Sequence, residues 1–164
     1  MKIFGIAGWS GSGKTTLIVN LLAELRRCGL TVSTIKHTHH LVQIDARDDA
    51  SRAFRDGGAT ESVVVSPRGW ALVHELRDEP EPPLGEMIAK LAAVDLLLIE
   101  GFKFHSHDKL EVYRPSVGKP LLCNDDRHIV AVASDGDVPE ARVPVIDLDD
   151  VPAVAALIRR RCRL

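Results

Sequence analysis

The segment Gly8-Trp9-Ser10-Gly11-Ser12-Gly13-Lys14-Thr15 has the spacing Gly-x-x-x-x-Gly-Lys-Thr and lies between an apolar run, Ile3 to Ala7, and a stretch of helical periodicity that starts at Lys14. No other feature restricts the fold as much. Such a loop works only where glycines let the backbone turn successive N–H groups onto an anion, with the positive end of a helix dipole behind them. A strand must therefore feed the loop and a helix must leave it. In that geometry Lys14 reaches the β- and γ-phosphates of a nucleoside triphosphate as the catalytic cation, and the Thr15 hydroxyl binds Mg²⁺. Gly8, Trp9, Ser10, Gly11, Ser12, Gly13, Lys14, Thr15 and Thr16 make up the expected nucleotide-binding set.

The rest of the chain extends this unit. Leu17, Leu21 and Leu25 recur every four residues beside Ile18 and Leu22, and Gly29 supplies a left-handed stop. Thr31 to Ile35 is β-branched and reads as a second strand, completing a βαβ unit. A helix is predicted from Asp49 to Asp56, ended by Gly57-Gly58, and then a hairpin of Val63 to Val65 and Ala71 to Val73 around Ser66-Pro67-Arg68-Gly69. Glu79-Pro80-Glu81-Pro82-Pro83 is a surface connection before a helix from Leu84 to Ala92. Further strands are read at Asp95 to Gly101, Leu110 to Tyr113, Ile129 to Ala133 and Val143 to Ile146, and a last helix begins near Asp150 with Pro152 in its first turn. This pattern predicts an α/β fold in three layers, a mostly parallel sheet with some antiparallel strands and helices on both faces, as one domain over residues 1–164.

Composition narrows the function classes. At 164 residues and 45% hydrophobic the chain can bury one sizeable core. A formal charge of −2 leaves no basic field to hold nucleic acid. Cys28, Cys123 and Cys162 form no Cys-x-x-Cys pair, which argues for reduced thiols in an intracellular setting over a zinc site or a disulfide framework. Glycine, serine and Lys14 interrupt the first apolar stretch before it reaches signal-peptide length, and no run approaches the roughly 18 apolar residues of a membrane span. A cytoplasmic protein without a membrane partner is expected.

Glu100 ends an apolar strand at the carboxyl edge of the predicted sheet, beside the phosphate loop, where a carboxylate serves as a metal ligand or accepts from metal-bound water. Asp95 begins the same strand, so it lies at the far edge and reads as a turn or cap residue. Lys36-His37-Thr38-His39-His40 follows the second strand at the carboxyl edge. It is read as a basic loop facing phosphate or substrate, with a transition-metal site and a solvated loop as the other readings. Asp45, Asp48 and Asp49 lie just beyond, and Asp45 is a candidate second Mg²⁺ ligand. Trp9 is read as a bulky cover for the loop or the phosphates, with a partner surface as the other reading. No Asn/Thr-Lys-x-Asp guanine motif is present. Ala133-Ser134-Asp135 ends a late strand where nucleotide-binding proteins of this kind often read the base, and an ordinary turn explains it equally well.

Gly8 to Leu17, Ile35 to His40, Gly57-Gly58-Ala59, Asp95 to Lys103 and Leu110 to Arg114 together resemble the molybdopterin-guanine dinucleotide biosynthesis protein B family, a family of GTP-binding adaptors. The phosphate loop alone is common; Lys-His-x-His-His and Ile-Glu-Gly-Phe-Lys in this order are far more specific. The resemblance implies a homodimer of the P-loop GTPase class, related to dethiobiotin synthetase and the nickel-insertion GTPases. It implies GTP and Mg²⁺ as cofactors, with the metal held at Thr15, Glu100 and an acid near Asp45. Members carry a Gly-Lys-Asp-Ser-like segment after that acid, whereas this chain has Arg47-Asp48-Asp49-Ala50-Ser51-Arg52, so the choice among its acids stays open. The implied partners are the molybdenum cofactor guanylyltransferase and molybdopterin. No Gln or Arg is clearly placed over the γ-phosphate by the sequence, which predicts slow GTP hydrolysis and an adaptor role. A small-molecule kinase using the same loop is the alternative. The Trp70 hairpin and the Phe102-Lys103-Phe104 loop are candidate contact surfaces, with ordinary core as the other reading of these aromatics.

Overall fold

The computed structural model describes residues 1–38, 49–102 and 105–164. Its elements in chain order are β1 (Lys2–Ala7), α1 (Lys14–Arg27), β2 (Val32–Lys36), α2 (Asp49–Asp56), β3 (Glu61–Ser66), β4 (Gly69–His74), α3 (Leu84–Ala89), β5 (Leu96–Glu100), β6 (Lys109–Tyr113), β7 (Ile129–Ser134), β8 (Val145–Asp147) and α4 (Val151–Cys162). They fall into two compact units, Met1–His37 with Ala92–Leu164, and Thr38–Leu91.

The first unit is built on a six-stranded sheet in the order β2-β5-β1-β6-β7-β8. Every neighbouring pair is parallel, with Ile6 opposite both Glu100 and Leu110, and Lys36 opposite Glu100. The four-residue repeat of α1 does what its spacing predicts: Leu17, Leu21 and Leu25 are buried against Phe4, Ile6, Leu96, Leu98, Leu110 and Val112. Val154, Ala155 and Ile158 of α4 join the same core, and α1 and α4 touch each other. Gly29, at φ 82°, ends α1 as expected, with its N–H donating to the Arg26 carbonyl. β8 starts two residues later than the pattern suggested. Val143 packs with Cys123, Ile129 and Val132 instead, and the Pro144 carbonyl accepts the Val132 N–H.

Lys109 and Glu111, on alternate positions of β6, are both fully buried. Burying charge is costly unless every ion is paired or hydrogen-bonded. The Lys109 ammonium meets the Asp126 carboxylate at 2.8 Å, and the Glu111 carboxylate accepts the N–H groups of Leu122 and Cys123 at 2.8 to 3.0 Å. Gly5 of β1 makes room for this row: a Cβ there would lie 2.5 Å from Lys109 Cγ and 2.6 Å from His107 Nε2.

In the second unit α2 packs on β3, and β3 and β4 form an antiparallel hairpin. Arg55 donates to Ser51 and Ser62 and pairs with Glu75 at 2.7 Å, tying helix to hairpin. Val63 stands opposite Leu72 and Val65 opposite Trp70, and all four side chains are exposed, Val65 by 75% and Trp70 by 72%. α3 stops at Ala89, earlier than the pattern suggested. The Lys90 and Leu91 N–H groups donate three residues back, to Met87 and Ile88, which tightens and ends the last turn. Among the described residues no helix is long and apolar enough to cross a membrane.

Candidate functional site

An all-parallel sheet gathers the carboxyl ends of its strands along one edge. Here that edge carries, in spatial order, Lys36 at the end of β2, Glu100 at the end of β5, the Gly8–Thr15 loop after β1, Arg114 after β6 and Asp135 after β7.

Gly8 has φ 140°, and a Cβ on it would meet the Val112 carbonyl oxygen at 2.4 Å, so only glycine lets β1 turn into the loop. Gly13 caps α1 without a side-chain hydrogen bond. The Lys14 ammonium donates to the Trp9 carbonyl at 2.8 Å, folding its stem back over the loop. Ser12 is buried, and its hydroxyl has no hydrogen-bond partner among the described residues. The Trp9 indole N–H donates to the Pro120 carbonyl at 2.7 Å, with the Lys119 ammonium 5.9 Å from the ring centroid. Trp9 thus fastens the loop to the connection after β6, and Glu111 holds that connection from beneath.

The Thr15 hydroxyl lies 3.0 Å from both oxygens of the Glu100 carboxylate. The Lys36 ammonium stands beside the pair, 3.2 Å from Thr15 Oγ1 and 3.4 Å from Glu100 Oε1. A hydroxyl and a carboxylate oxygen are the hard donors that Mg²⁺ takes, and a cationic group already sits against both. The residues present therefore fit a divalent cation. Asp45, the third expected ligand, lies outside the described residues, as do His39, His40, Asp48, Lys103 and Phe104. Among the described residues no cluster of three or more His, Cys, Asp or Glu side chains could hold a metal ion. The His37 ring stacks on Phe102 with centroids 4.3 Å apart, and His105 meets Phe102 edge-on.

Asp95 does not join the site. At the opposite edge its carboxylate accepts from the Thr31 N–H at 2.8 Å and hydroxyl at 2.7 Å, which holds it below the usual carboxylate range. That is the cap role its position implied. On the flank of the loop away from Glu100, Arg114 Nε donates to the Ser12 carbonyl at 3.1 Å and its Nη1 pairs with the Asp135 carboxylate. Sequence reasoning gave Arg114 no role. The available signal is the one that marked Glu100, a charged residue closing an apolar strand at the carboxyl edge.

The sequence matches the family model described as Molybdopterin guanine dinucleotide synthesis protein B over residues 3–135. It is 37% identical over 162 residues to the molybdopterin-guanine dinucleotide biosynthesis adapter protein of Escherichia coli, covering 96% of this chain and 91% of that one. Against the adapter protein of the same name in Haemophilus influenzae the identity is 33%, covering 96% and 88%. A crystal structure of molybdopterin-guanine biosynthesis protein B superposes with a TM-score of 0.76 at 28% identity, covering 99% of each chain. The MobB protein homolog from Bacillus stearothermophilus, at 24% identity and a TM-score of 0.69 over 99% of each chain, shares the fold. A loop of this geometry, at the head of a parallel sheet shared with these structures, and a match over most of the sequence lead to one assignment: the chain belongs to the molybdopterin guanine dinucleotide synthesis protein B family.

Proposed function

We propose that this protein is an adapter in molybdopterin guanine dinucleotide biosynthesis that binds GTP with Mg²⁺, hydrolyses it slowly, and acts through the nucleotidyltransferase that builds the dinucleotide. The role rests on the two adapter proteins it resembles over nearly its whole length. The observation that carries nucleotide binding is the Thr15, Glu100 and Lys36 constellation beside the Gly8–Thr15 loop.

The loop N–H groups and Lys14 would take the β- and γ-phosphates, and Thr15 and Glu100 would hold Mg²⁺. The metal, when bound, neutralises charge on the phosphate oxygens. Lys36, beside Thr15 and Glu100, would keep a cation on that flank. An arginine over the γ-phosphoryl group is what most accelerates such hydrolysis. Arg114 is held by Ser12 and Asp135 on the other flank, which supports slow turnover. The protein works in the cytoplasm as a homodimer, a reading to which the bare apolar face of the β3–β4 hairpin lends support.

The deciding assay is guanylylation of molybdopterin by the partner transferase at limiting GTP. The expected result is stimulation by this protein and none by Lys14→Ala, which keeps the fold and loses triphosphate affinity by tenfold or more, the order expected for a charge-assisted phosphate contact. Absence of stimulation, with fast phosphorylation of a small molecule by this protein alone, would replace the adapter with a kinase.

A further inference from the structure

We propose that a notch at the amino edge of the six-stranded sheet, between the first residues of β1 and the last turn of α4, is a second anion site that takes the phosphate group of a small phosphorylated molecule. It lies at the other end of β1 from the Gly8–Thr15 loop, about 16 Å away at the usual rise of a strand, and does not depend on nucleotide binding there.

The notch comes from a mismatch in where two strands start. β1 begins at Lys2, but its pairing with β6 begins only at Gly5, opposite Lys109. Lys2 and Ile3 therefore have no strand on that flank. Successive N–H groups of a strand face opposite neighbours. The Lys2 N–H donates to the Asp95 carbonyl on the β5 side, and the Gly5 N–H donates to the Asp108 carbonyl on the β6 side at 2.9 Å. The Ile3 N–H is thus turned toward the notch, with no β6 residue opposite it. A backbone donor in that position calls for an acceptor from elsewhere. The last turn of α4 closes the gap into a cavity of about 310 Å³, at the small end of the range for small-molecule sites.

The lining is cationic in a chain whose formal charge is −2. Lys2, Arg161 and Arg163 face a single lining carboxylate, Asp108. Arg161 answers that carboxylate through Nε at 2.9 Å and Nη2 at 2.8 Å. Among the described residues no ion pair joins Lys2 or Arg163, and both are exposed. Two unanswered cations, one of them a planar guanidinium, beside a backbone amide suit a doubly charged phosphate better than a carboxylate. His107 also lines the cavity, and its buried Nε2 has no hydrogen-bond partner among the described residues. Burial first, and then the charge of Lys109, keep this imidazole from taking a proton, so the cavity wall lies in a positive field that an anion would relieve. The remaining lining residues are Ile3 and the buried Cys162, whose thiol behaves as a small apolar group. They give carbon next to the phosphate a surface to cover, which selects a phosphate ester over the bare ion.

The test is an NMR titration of the full chain with phenyl phosphate, inorganic phosphate and a short polyglutamate peptide. The reporter is the imidazole C–H signal that His107→Gln removes. Phenyl phosphate should shift it saturably, in the unaltered protein and in Lys14→Ala alike, and should bind several-fold more tightly than inorganic phosphate. Lys2→Ser combined with Arg163→Ser should weaken phenyl phosphate by tenfold or more and leave nucleotide affinity at the loop within about twofold. A His107 signal that does not move, or equal phenyl phosphate affinity in the folded double variant, overturns the inference. So does a response lost in folded Lys14→Ala, which would place the phosphate at the Gly8–Thr15 loop. Inorganic phosphate binding as tightly as phenyl phosphate overturns the ester in favour of a bare ion, and tighter binding of polyglutamate overturns it in favour of an acidic protein segment. Loss of nucleotide binding by the unaltered protein with the His107 response intact removes the phosphate-loop reading and leaves this site standing.

Discussion

Glu100 is the residue on which the metal reading turns. Its carboxylate shares the Thr15 hydroxyl through both oxygens and faces the Lys36 ammonium in a nearly buried position. Glu100→Gln keeps the volume and one acceptor for Thr15 while removing the charge. The Mg²⁺-dependent gain in nucleotide affinity should fall by about tenfold, while metal-free affinity changes by less than about twofold. Nucleotide titrations with and without Mg²⁺ measure both, and an undiminished Mg²⁺ effect would exclude Glu100 as a ligand. This residue was legible in the sequence because a carboxylate closing the apolar run Leu96 to Ile99 has no use in a core. Asp95 was legible for the converse reason, its place at the other end of the same strand. Lys36 was marked only as part of a basic loop. Its contact with Thr15 and Glu100 depends on β2 pairing with β5, and no local pattern encodes that. Lys109 and Glu111 look like ordinary alternating polar positions on a half-exposed strand; only their neighbours across the fold, Asp126 and the Leu122 and Cys123 amides, reveal them as buried and satisfied.

Among the elements, the β3–β4 hairpin was predicted from its Pro-Gly turn and flanking apolar triplets, and the sequence also left open whether Trp70 was core or surface. The register decides it, because Val63, Val65, Trp70 and Leu72 form two facing cross-strand pairs on one bare side of the ribbon. A two-stranded ribbon is marginal alone, and a self-complementary apolar face is what a two-fold dimer buries. If the proposed homodimer buries this face, Val65→Lys combined with Trp70→Ser should shift the protein from dimer to monomer at micromolar concentration, read by sedimentation velocity. An unchanged dimer would move the interface elsewhere. Helix α1 was equally readable from its period of 3.6, and the strands from continuous apolar or β-branched runs. The strand order was not, since β1 lies between β5 and β6, both remote from it in the chain. Arg114 on the Ser12 carbonyl and the Trp9 indole on the Pro120 carbonyl follow from that order, which is why the sequence could name the loop and not its fastenings.

At the scale of the molecule, stability should respond to mild acid through His107. Burial, with the charge of nearby Lys109 second, pushes its imidazole down to about 4. In the unfolded chain it takes a proton near pH 6.5. Between those values the unfolded state binds the extra proton, so unfolding becomes easier as pH falls from about 6.5 to about 4, and the contribution is fully present above that window. Allowing for partial exposure, the loss is about 1 to 2 kcal/mol. Urea midpoints followed across this range should fall more steeply for the unaltered protein than for His107→Gln, and parallel curves would remove His107 as the cause. The position of β1 has one more consequence, for the order of synthesis. β1 waits for both its neighbours until Leu96 to Tyr113 have been made, and the Gly8 turn, set against Val112, waits with it. Pairings of such long range close slowly. A chain that stops short of Leu96 carries the whole phosphate-loop motif and cannot shape it, so this protein gains its binding site only once β5 and β6 have been made.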